Sequence, residues 1–397
     1  MTLIKREELS SRFRSLGVQL TDSYTDQSSM SFSELDQLIA SEFKVRESYL
    51  YVGIPVFLLE KDQDFETGIR RIRDKLETSN LIPVLRREQD QIILRIHGRR
   101  PATTEPSRKW LQKLPLVLFF VTIASVTFSG YLTSAAYLHL LTVLGRLQYN
   151  EQTFMLVSVS LYTISLMSVV GLHEFGHILS CWKHKVKASL PYFIPGLPPF
   201  GTFGAVIRQE SPVLNKNELF DLGLSGPAAG FLVSIVISCL GLSSSVLVSS
   251  QELSVVSQNM PSISIGAPIS WLVIDSLLFK SQLFLGRSPN SEIFISPMAF
   301  AGWAGFLVTF LNAFPVGQLD GGHVSFAVFG PKYHTYISYA AAIVMALMGF
   351  WPMALLSILT LRAGAPMILD DVTKLDTKRK IAALLLPVLL VFSSSLL

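Results

Sequence analysis

The sequence predicts a polytopic α-helical membrane protein of about 6–8 transmembrane helices with a small N-terminal α+β soluble domain. Three observations predict it. Half of the 397 residues are hydrophobic and only 16% are charged, which is far from the balance of a soluble domain. The charge is also unevenly spread: residues 1–110 hold much of it, and 111–397 hold nearly all of the long apolar runs. One such run, Thr153 to Leu172, has 20 consecutive uncharged residues, the length that crosses a hydrocarbon core.

The soluble domain is expected over 1–98. Ser31-Phe32-Ser33-Glu34 has the spacing of a capping box, and Phe32, Leu35, Leu38, Ile39 and Phe43 fall on one face of the short helix it opens. Tyr49 to Leu59 reads as strand and Phe65 to Thr78 as a charged amphipathic helix. Ile82–Leu85 and Gln91–Ile96 read as a hairpin across Arg86–Asp90. About 100 residues suffice for a core of their own. The domain carries no catalytic constellation, so substrate recruitment or regulation stands level with a folded spacer.

Residues 99–113, beginning RRPATTEPSRK, form a linker to the membrane domain at 114–397, whose core motifs lie within 155–325. Spans are expected at 114–135, 153–179, 222–242, 294–314, 335–350, 351–363 and 380–396, with 266–286 as an interfacial segment or an eighth span. Pro352 argues for a break within 335–363. Arg99, Arg100, Arg108, Lys109 and Lys113 precede the first span and Lys183, Lys185 and Lys187 follow the second, against Arg146 alone between them. That asymmetry puts the N-terminus in the cytoplasm and both chemical motifs near cytoplasmic helix ends. Gly223, Gly226 and Gly230 are spaced to let their helix pack tightly on the preceding one, a structural rather than catalytic role. Pro191 to Arg208 is too rich in Pro and Gly to span and ends in the strand-like stretch Thr202–Ile207.

His173-Glu174-Phe175-Gly176-His177 is an H-E-x-x-H sequence that continues the run 153–172. An ionisable side chain in a bilayer costs about 2.5–3.5 kcal/mol on insertion scales, so two His and a Glu so close together need a compensating partner. A divalent metal supplies one. Spacing by four places both imidazoles on one helix face, one turn apart, within reach of a single Zn2+. Glu174 lies about 100° further round the helix, where it can take a proton from an attacking water instead of binding metal. The same spacing in a soluble helix is often mere surface, but polar residues are selected against in a spanning one. A catalytic zinc takes a third protein ligand. The only other cluster of this kind is 312–323, NAFPVGQLDGGH, after the apolar run 296–311. Asp320, followed by Gly321 and Gly322, is the candidate there, and His323 a weaker one.

With both elements, the chain resembles the site-2 protease family of intramembrane zinc metalloproteases. That family's paired signature is H-E-x-x-H on one transmembrane helix and N-x-x-P-x-x-x-L-D-G on a later one. Asn312, Pro315, Leu319, Asp320 and Gly321 fill every fixed position of the second. The resemblance spans about 155–375, and Gly364-Ala365-Pro366 through Leu369-Asp370-Asp371-Val372-Thr373 looks most like the branch of cyanobacteria and chloroplasts. It implies His173, His177 and Asp320 as zinc ligands, Glu174 as catalytic acid/base and Asn312 as a group positioning substrate or a developing oxyanion. It also implies that a re-entrant β-loop at 191–208 pairs with substrate through Thr202, Phe203, Gly204 and Ala205. A helical peptide bond is shielded by its own hydrogen bonds, so a substrate must unwind and can then add as a strand to an exposed edge. An ordinary surface loop is the alternative.

The implied activity is zinc-dependent cleavage of transmembrane segments in single-span or other membrane proteins, near the cytoplasmic face. Zn2+ is the cofactor, and substrate and lipid bilayer are the partners. The implied location is multi-pass in a bacterial membrane, cyanobacterial plasma or thylakoid membrane, or a plastid membrane. A catalytically silent scaffold of the same fold is disfavoured because ligands and base are all intact, and a metal transporter because neither motif is repeated. The net charge of +4 fits positive-inside loops and not a nucleic-acid footprint. Cys181 and Cys239 are too few for a disulfide framework. No secretory signal or transit peptide is expected in MTLIKREELSSRF, and neither a PDZ insertion nor a C-terminal nucleotide-sensing domain is expected.

Overall fold

The computed structural model describes residues 30–98, 109–249, 251–252, 255, 265–279, 283–284, 291–362 and 368–395. The readings of residues 1–29, of the linker over 99–108, of much of the loop 243–265 and of Gly364-Ala365-Pro366 fall outside them. The chain divides into two units, one of Met1–Pro106 with Ile368–Lys374, the other of Ser107–Met367 with Leu375–Leu397.

In the first unit, helix α1 (Phe32–Glu42) opens on the capping box: Ser31 N–H donates to the Glu34 carboxylate at 2.7 Å, and Glu34 N–H to Ser31 Oγ at 3.3 Å. Strands β1 (Val45–Tyr51) and β2 (Ile54–Leu59), helix α2 (Phe65–Leu76), and strands β3 (Leu81–Glu88) and β4 (Gln91–Gly98) follow. Tyr49–Leu59 is therefore not one strand. Val52 and Gly53, at φ +50° and +75°, turn the chain back so that β1 pairs with β2. Two successive left-handed residues make the turn whose twist matches a hairpin. Gln89 and Asp90, at φ +46° and +69°, do the same for β3 and β4, which run longer than the sequence reading allows. The sheet is antiparallel in the order β1-β2-β4-β3. Leu35 and Ile39 of α1, Ile69, Ile72 and Leu76 of α2, and Phe57, Leu85 and Leu94 of the sheet are all fully buried.

The outer edge of β3 takes up a segment from far along the chain. Leu85 N–H donates to the Leu369 carbonyl at 2.7 Å and Asp371 N–H to the Leu85 carbonyl at 3.2 Å, a parallel bridge. Arg86 Nη2 donates to the Ile368 carbonyl at 2.8 Å. Asp370, fully buried, accepts from the N–H groups of Val372 (2.8 Å) and Thr373 (3.1 Å) and from the Thr373 hydroxyl. Residues 368–374, read from sequence as part of the membrane domain, thus fold with the first unit.

The second unit runs α3 (Lys109–Val143), α4 (Glu151–Lys183), β5 (Tyr192–Pro195), β6 (Thr202–Val206), α5 (Lys216–Ser243), β7 (Val246–Ser249), α6 (Ile269–Leu278), β8 (Ser291–Phe294), α7 (Pro297–Ala313), α8 (Asp320–Leu347), α9 (Trp351–Arg362), α10 (Thr377–Ala382) and α11 (Leu385–Ser393). Three helices, Lys113–Val143, Glu151–Lys183 and Lys216–Ser243, are long and apolar enough to cross a membrane. The other expected spans fall on shorter or interrupted helices among the described residues. α7 has 17 residues, α9 has 12, and 380–396 is divided between α10 and α11. The expected span 335–350 is the second limb of α8, which kinks where Gly330 takes φ +77° ahead of Pro331.

α5 is the most buried of the three long helices. It packs on α4 and α7 through small residues: a Cβ on Gly241 would lie 2.3 Å from the Ala299 backbone nitrogen, and one on Gly305 2.1 Å from Ser234 Oγ. Between α4 and α5 the chain makes the two-stranded antiparallel sheet β5-β6. Phe193 of β5 meets Phe119 of α3 edge to face at 5.2 Å, and Tyr162 of α4 donates its hydroxyl to the Pro199 carbonyl at 2.7 Å.

Asp370→Ala leaves buried N–H donors unpaired, which costs about 1–3 kcal/mol. The expected result in hydrogen exchange is loss of protection at the Leu85 and Asp371 amides with Ile93 little changed.

Candidate metal centre

The first turn of α8 is built to present a carboxylate. A Cβ on Gly321 would lie 2.1 Å from the Ala313 carbonyl oxygen and one on Gly322 2.3 Å from that of Gly317, so only glycine lets this turn rest on the loop after α7. Gly317, at φ +54°, shapes that loop. Asp320 emerges as the first residue of α8, facing the last third of α4.

There it meets two imidazoles. His173 Nε2 lies 3.1 Å from Asp320 Oδ2 and His177 Nε2 3.3 Å from Oδ1, with both His side chains more than nine-tenths buried. One ligand atom from each of the three lies within 4.8 Å of the others, and no other such group occurs among the described residues. Two imidazole nitrogens and one carboxylate oxygen converging on a point suit a catalytic zinc, which takes three protein ligands and leaves a position open. His177 Nδ1 donates to the Leu222 carbonyl at 2.9 Å, which leaves the Nε2 lone pair aimed at the common point. His173 Nδ1 is buried with no hydrogen-bond partner among the described residues.

Glu174, also buried, sits outside the trio. The backbone of Ile207, the residue after β6, lies beside its carboxylate. The strand-like stretch expected at 202–207 therefore ends at the side chain expected to act as base. Thr202 is buried, Phe203 exposed, and Gly204 stands at φ +99°. Asn312 turns its Nδ2 to the Val308 carbonyl of its own helix at 3.1 Å. His323, one turn beyond Asp320, is absent from the trio, and its buried Nδ1 has no hydrogen-bond partner among the described residues.

The wall behind the ligands is α5. A Cβ on Gly226 would lie 2.1 Å from His177 Nε2, and one on Gly230 3.0 Å from His173 Nδ1 and 3.4 Å from Thr309 Oγ1. One on Gly223 would lie 2.7 Å from the Asp320 carbonyl oxygen. Each of the three glycines thus makes room for one member of the trio. Sequence spacing identifies them as packing positions but not what they pack against. The Leu222 carbonyl and the main chain at Ile207 leave no signal in sequence at all, because every residue carries a backbone.

Comparison with known proteins points to zinc metalloproteases. The profile of Peptidase family M50 matches residues 161–356. The probable chloroplastic zinc metalloprotease EGY2 of Oryza sativa subsp. indica is 31% identical over 184 residues, covering 44% of this chain and 30% of the relative. The probable chloroplastic zinc metalloprotease EGY1 of Arabidopsis thaliana is 27% identical over 299 residues, 69% of this chain and 51% of the relative. EGY1 of Oryza sativa subsp. japonica is 31% identical over 243 residues, 57% of this chain and 38% of the relative. The chain spans about a third to a half of the length of these relatives. No solved structure matches it.

Gly226→Ala is expected to displace the His177 ring and lower zinc affinity by at least about 10-fold, the scale of a lost orienting contact. Gly230→Ala, where the neighbour need give only slightly, should cost less. Gly241→Ala, equally tight but against the Ala299 backbone, should lower the unfolding temperature while the folded protein keeps its zinc. Zinc titration beside thermal unfolding of each variant checks all three.

Proposed function

The chain belongs to the site-2 protease family of zinc metalloproteases, Peptidase family M50, and from that membership we propose that it is an intramembrane zinc endopeptidase cutting transmembrane segments of other membrane proteins near the cytoplasmic face. The observation that carries the proposal is the convergence of His173 and His177 from α4 with Asp320 from α8, beside Glu174 and the end of β6. His173, His177 and Asp320 would hold the metal. A zinc ion there would supply polarisation of the scissile carbonyl and acidification of the attacking water. Glu174 takes the proton from that water and delivers it to the leaving amine nitrogen. Leu222 holds the His177 ring in the tautomer that leaves Nε2 free to bind.

β6 pairs only with β5 in its sheet, so its second edge offers main-chain groups to an unwound substrate segment. Because Ile207, the residue after β6, lies beside Glu174, a strand laid along that edge leads its peptide bonds to the base. Asn312 is assigned to steadying substrate or the developing oxyanion, which requires its amide to turn away from Val308. The three long apolar helices support a membrane location, and the names of the chloroplastic relatives support a plastid membrane or the corresponding cyanobacterial one. The multi-pass arrangement of about 6–8 spans, with the N-terminus in the cytoplasm, rests on hydropathy and loop charge.

Glu174→Gln should lose about 10²–10⁴-fold in cleavage of a model transmembrane substrate, the usual worth of a positioned base, and keep its zinc. Near-normal turnover in that variant would remove Glu174 from the mechanism. Asp320→Ala should lose both zinc and activity, and His323→Ala should lose less of each; the reverse order of zinc stoichiometry would exchange their roles. Pro substitution along Thr202, Phe203, Ala205 and Val206 should cost cleavage at some positions and spare others, because successive N–H groups face opposite edges. Uniform tolerance in folded, zinc-loaded protein would reduce β6 to an ordinary loop.

A further inference from the structure

Asp221, in the second turn of α5, joins three helices. Its Oδ1 accepts from Arg379 Nε at 2.6 Å and its Oδ2 from Arg379 Nη2 at 2.7 Å, a two-pronged contact with α10. Oδ2 also takes Lys183 Nζ at 2.9 Å and His184 Nε2 at 2.8 Å, from the C-terminal end of α4. α10 is anchored beside this contact, where Asp376 N–H donates to Asn217 Oδ1 of α5 at 3.0 Å and the Asp376 carboxylate pairs with Arg379.

The residue after Asp221 is Leu222, whose carbonyl accepts Nδ1 of His177. Two consecutive residues of α5 therefore hold two side chains seven residues apart, one on α4 and one at its C-cap: Leu222 holds His177 and Asp221 holds His184. A shift of α4 against α5 that breaks the first contact carries the Leu222 carbonyl away from the His177 ring. At 17% and 22% side-chain exposure, Asp221 and Arg379 are much less screened than a surface pair, so their geometry is held.

We propose that Asp221 and Arg379 are positioning residues of the metal centre, acting through the Leu222 carbonyl on the orientation of His177. This rests on the metal reading given above. Neither side chain touches metal or substrate. Arg379 fixes the Asp221 carboxylate, Asp221 fixes the end of α4, and the register between the two helices fixes the ring. The arrangement gives α10, remote in sequence from both motifs, a direct influence on metal affinity.

The test measures zinc dissociation constants by chelator competition on the full chain in detergent, with unfolding of the metal-free protein followed in parallel. The proteins are the wild type, Arg379→Gln, Asp221→Asn, the double variant and Arg379→Lys. Each single substitution should weaken zinc binding about 10–100-fold, the range of a lost second contact to a metal-ligating His. The double variant should be no weaker than the worse single, since both remove one junction. Arg379→Lys should recover part of the affinity by keeping the charge without the fork. Metal-free stability should fall much less than affinity. Wild-type affinity in both single variants overturns the proposal, and so does a loss of affinity that merely tracks loss of stability. If the wild type binds zinc no better than a His173→Ala, His177→Ala double variant, the metal reading itself falls and takes this proposal with it.

Discussion

A carboxylate and two imidazoles removed from water have only one another and a shared cation to compensate them, and everything else around the centre serves that requirement. Asp320 lies within 3.3 Å of a ring nitrogen of both His173 and His177. The desolvation of these groups in a low-dielectric interior is affordable only if their polar atoms face one point. Convergence therefore follows from the solvent as much as from the chemistry. A divalent cation at that point satisfies all three at once, and the open coordination position it retains is what a hydrolase needs.

To bring a helix terminus against the last third of another helix, backbones must approach closely, and small residues make this possible. Gly321 and Gly322 let the start of α8 fold back on its own loop, while Gly223, Gly226 and Gly230 let α5 serve as a flat wall behind the ligands. Packing and chemistry share the same residues here. The three glycines are structural in the sense that they allow close contact, yet what they contact are the groups assigned to the metal. The β5-β6 sheet adds a second constraint by ending beside Glu174, so that this carboxylate and the outer edge of β6 belong to one local structure.

Much of the centre was legible in the sequence because side chains with rare properties stand at fixed spacings in an apolar context. H-E-x-x-H directly after a 20-residue uncharged run leaves few alternatives, and Asp320 before two glycines is nearly as distinctive. The capping box at Ser31 and Glu34 was legible for the same reason. What escaped was carried by backbone or by distance. The turn at Val52 and Gly53 hides inside an apolar stretch whose periodicity continues through it. The pairing of residues 368–371 with β3 has no local signature, since a parallel partner far along the chain imposes no period of its own. The Asp221–Arg379 junction joins residues that look like ordinary loop charges when read singly. Hydropathy overstated the regularity of the later helices because apolar composition does not reveal the kink at Gly330 or the break between α10 and α11.

Zinc K-edge X-ray absorption on the full chain, purified in detergent, tests most directly whether His173, His177 and Asp320 hold one ion. The predicted spectrum has two imidazole nitrogens at about 2.0–2.1 Å with the remaining positions oxygen, at one zinc per chain. A third imidazole would bring His323 into the centre in place of Asp320. A sulfur shell at about 2.3 Å, or no stoichiometric zinc, would contradict the assignment of this centre altogether.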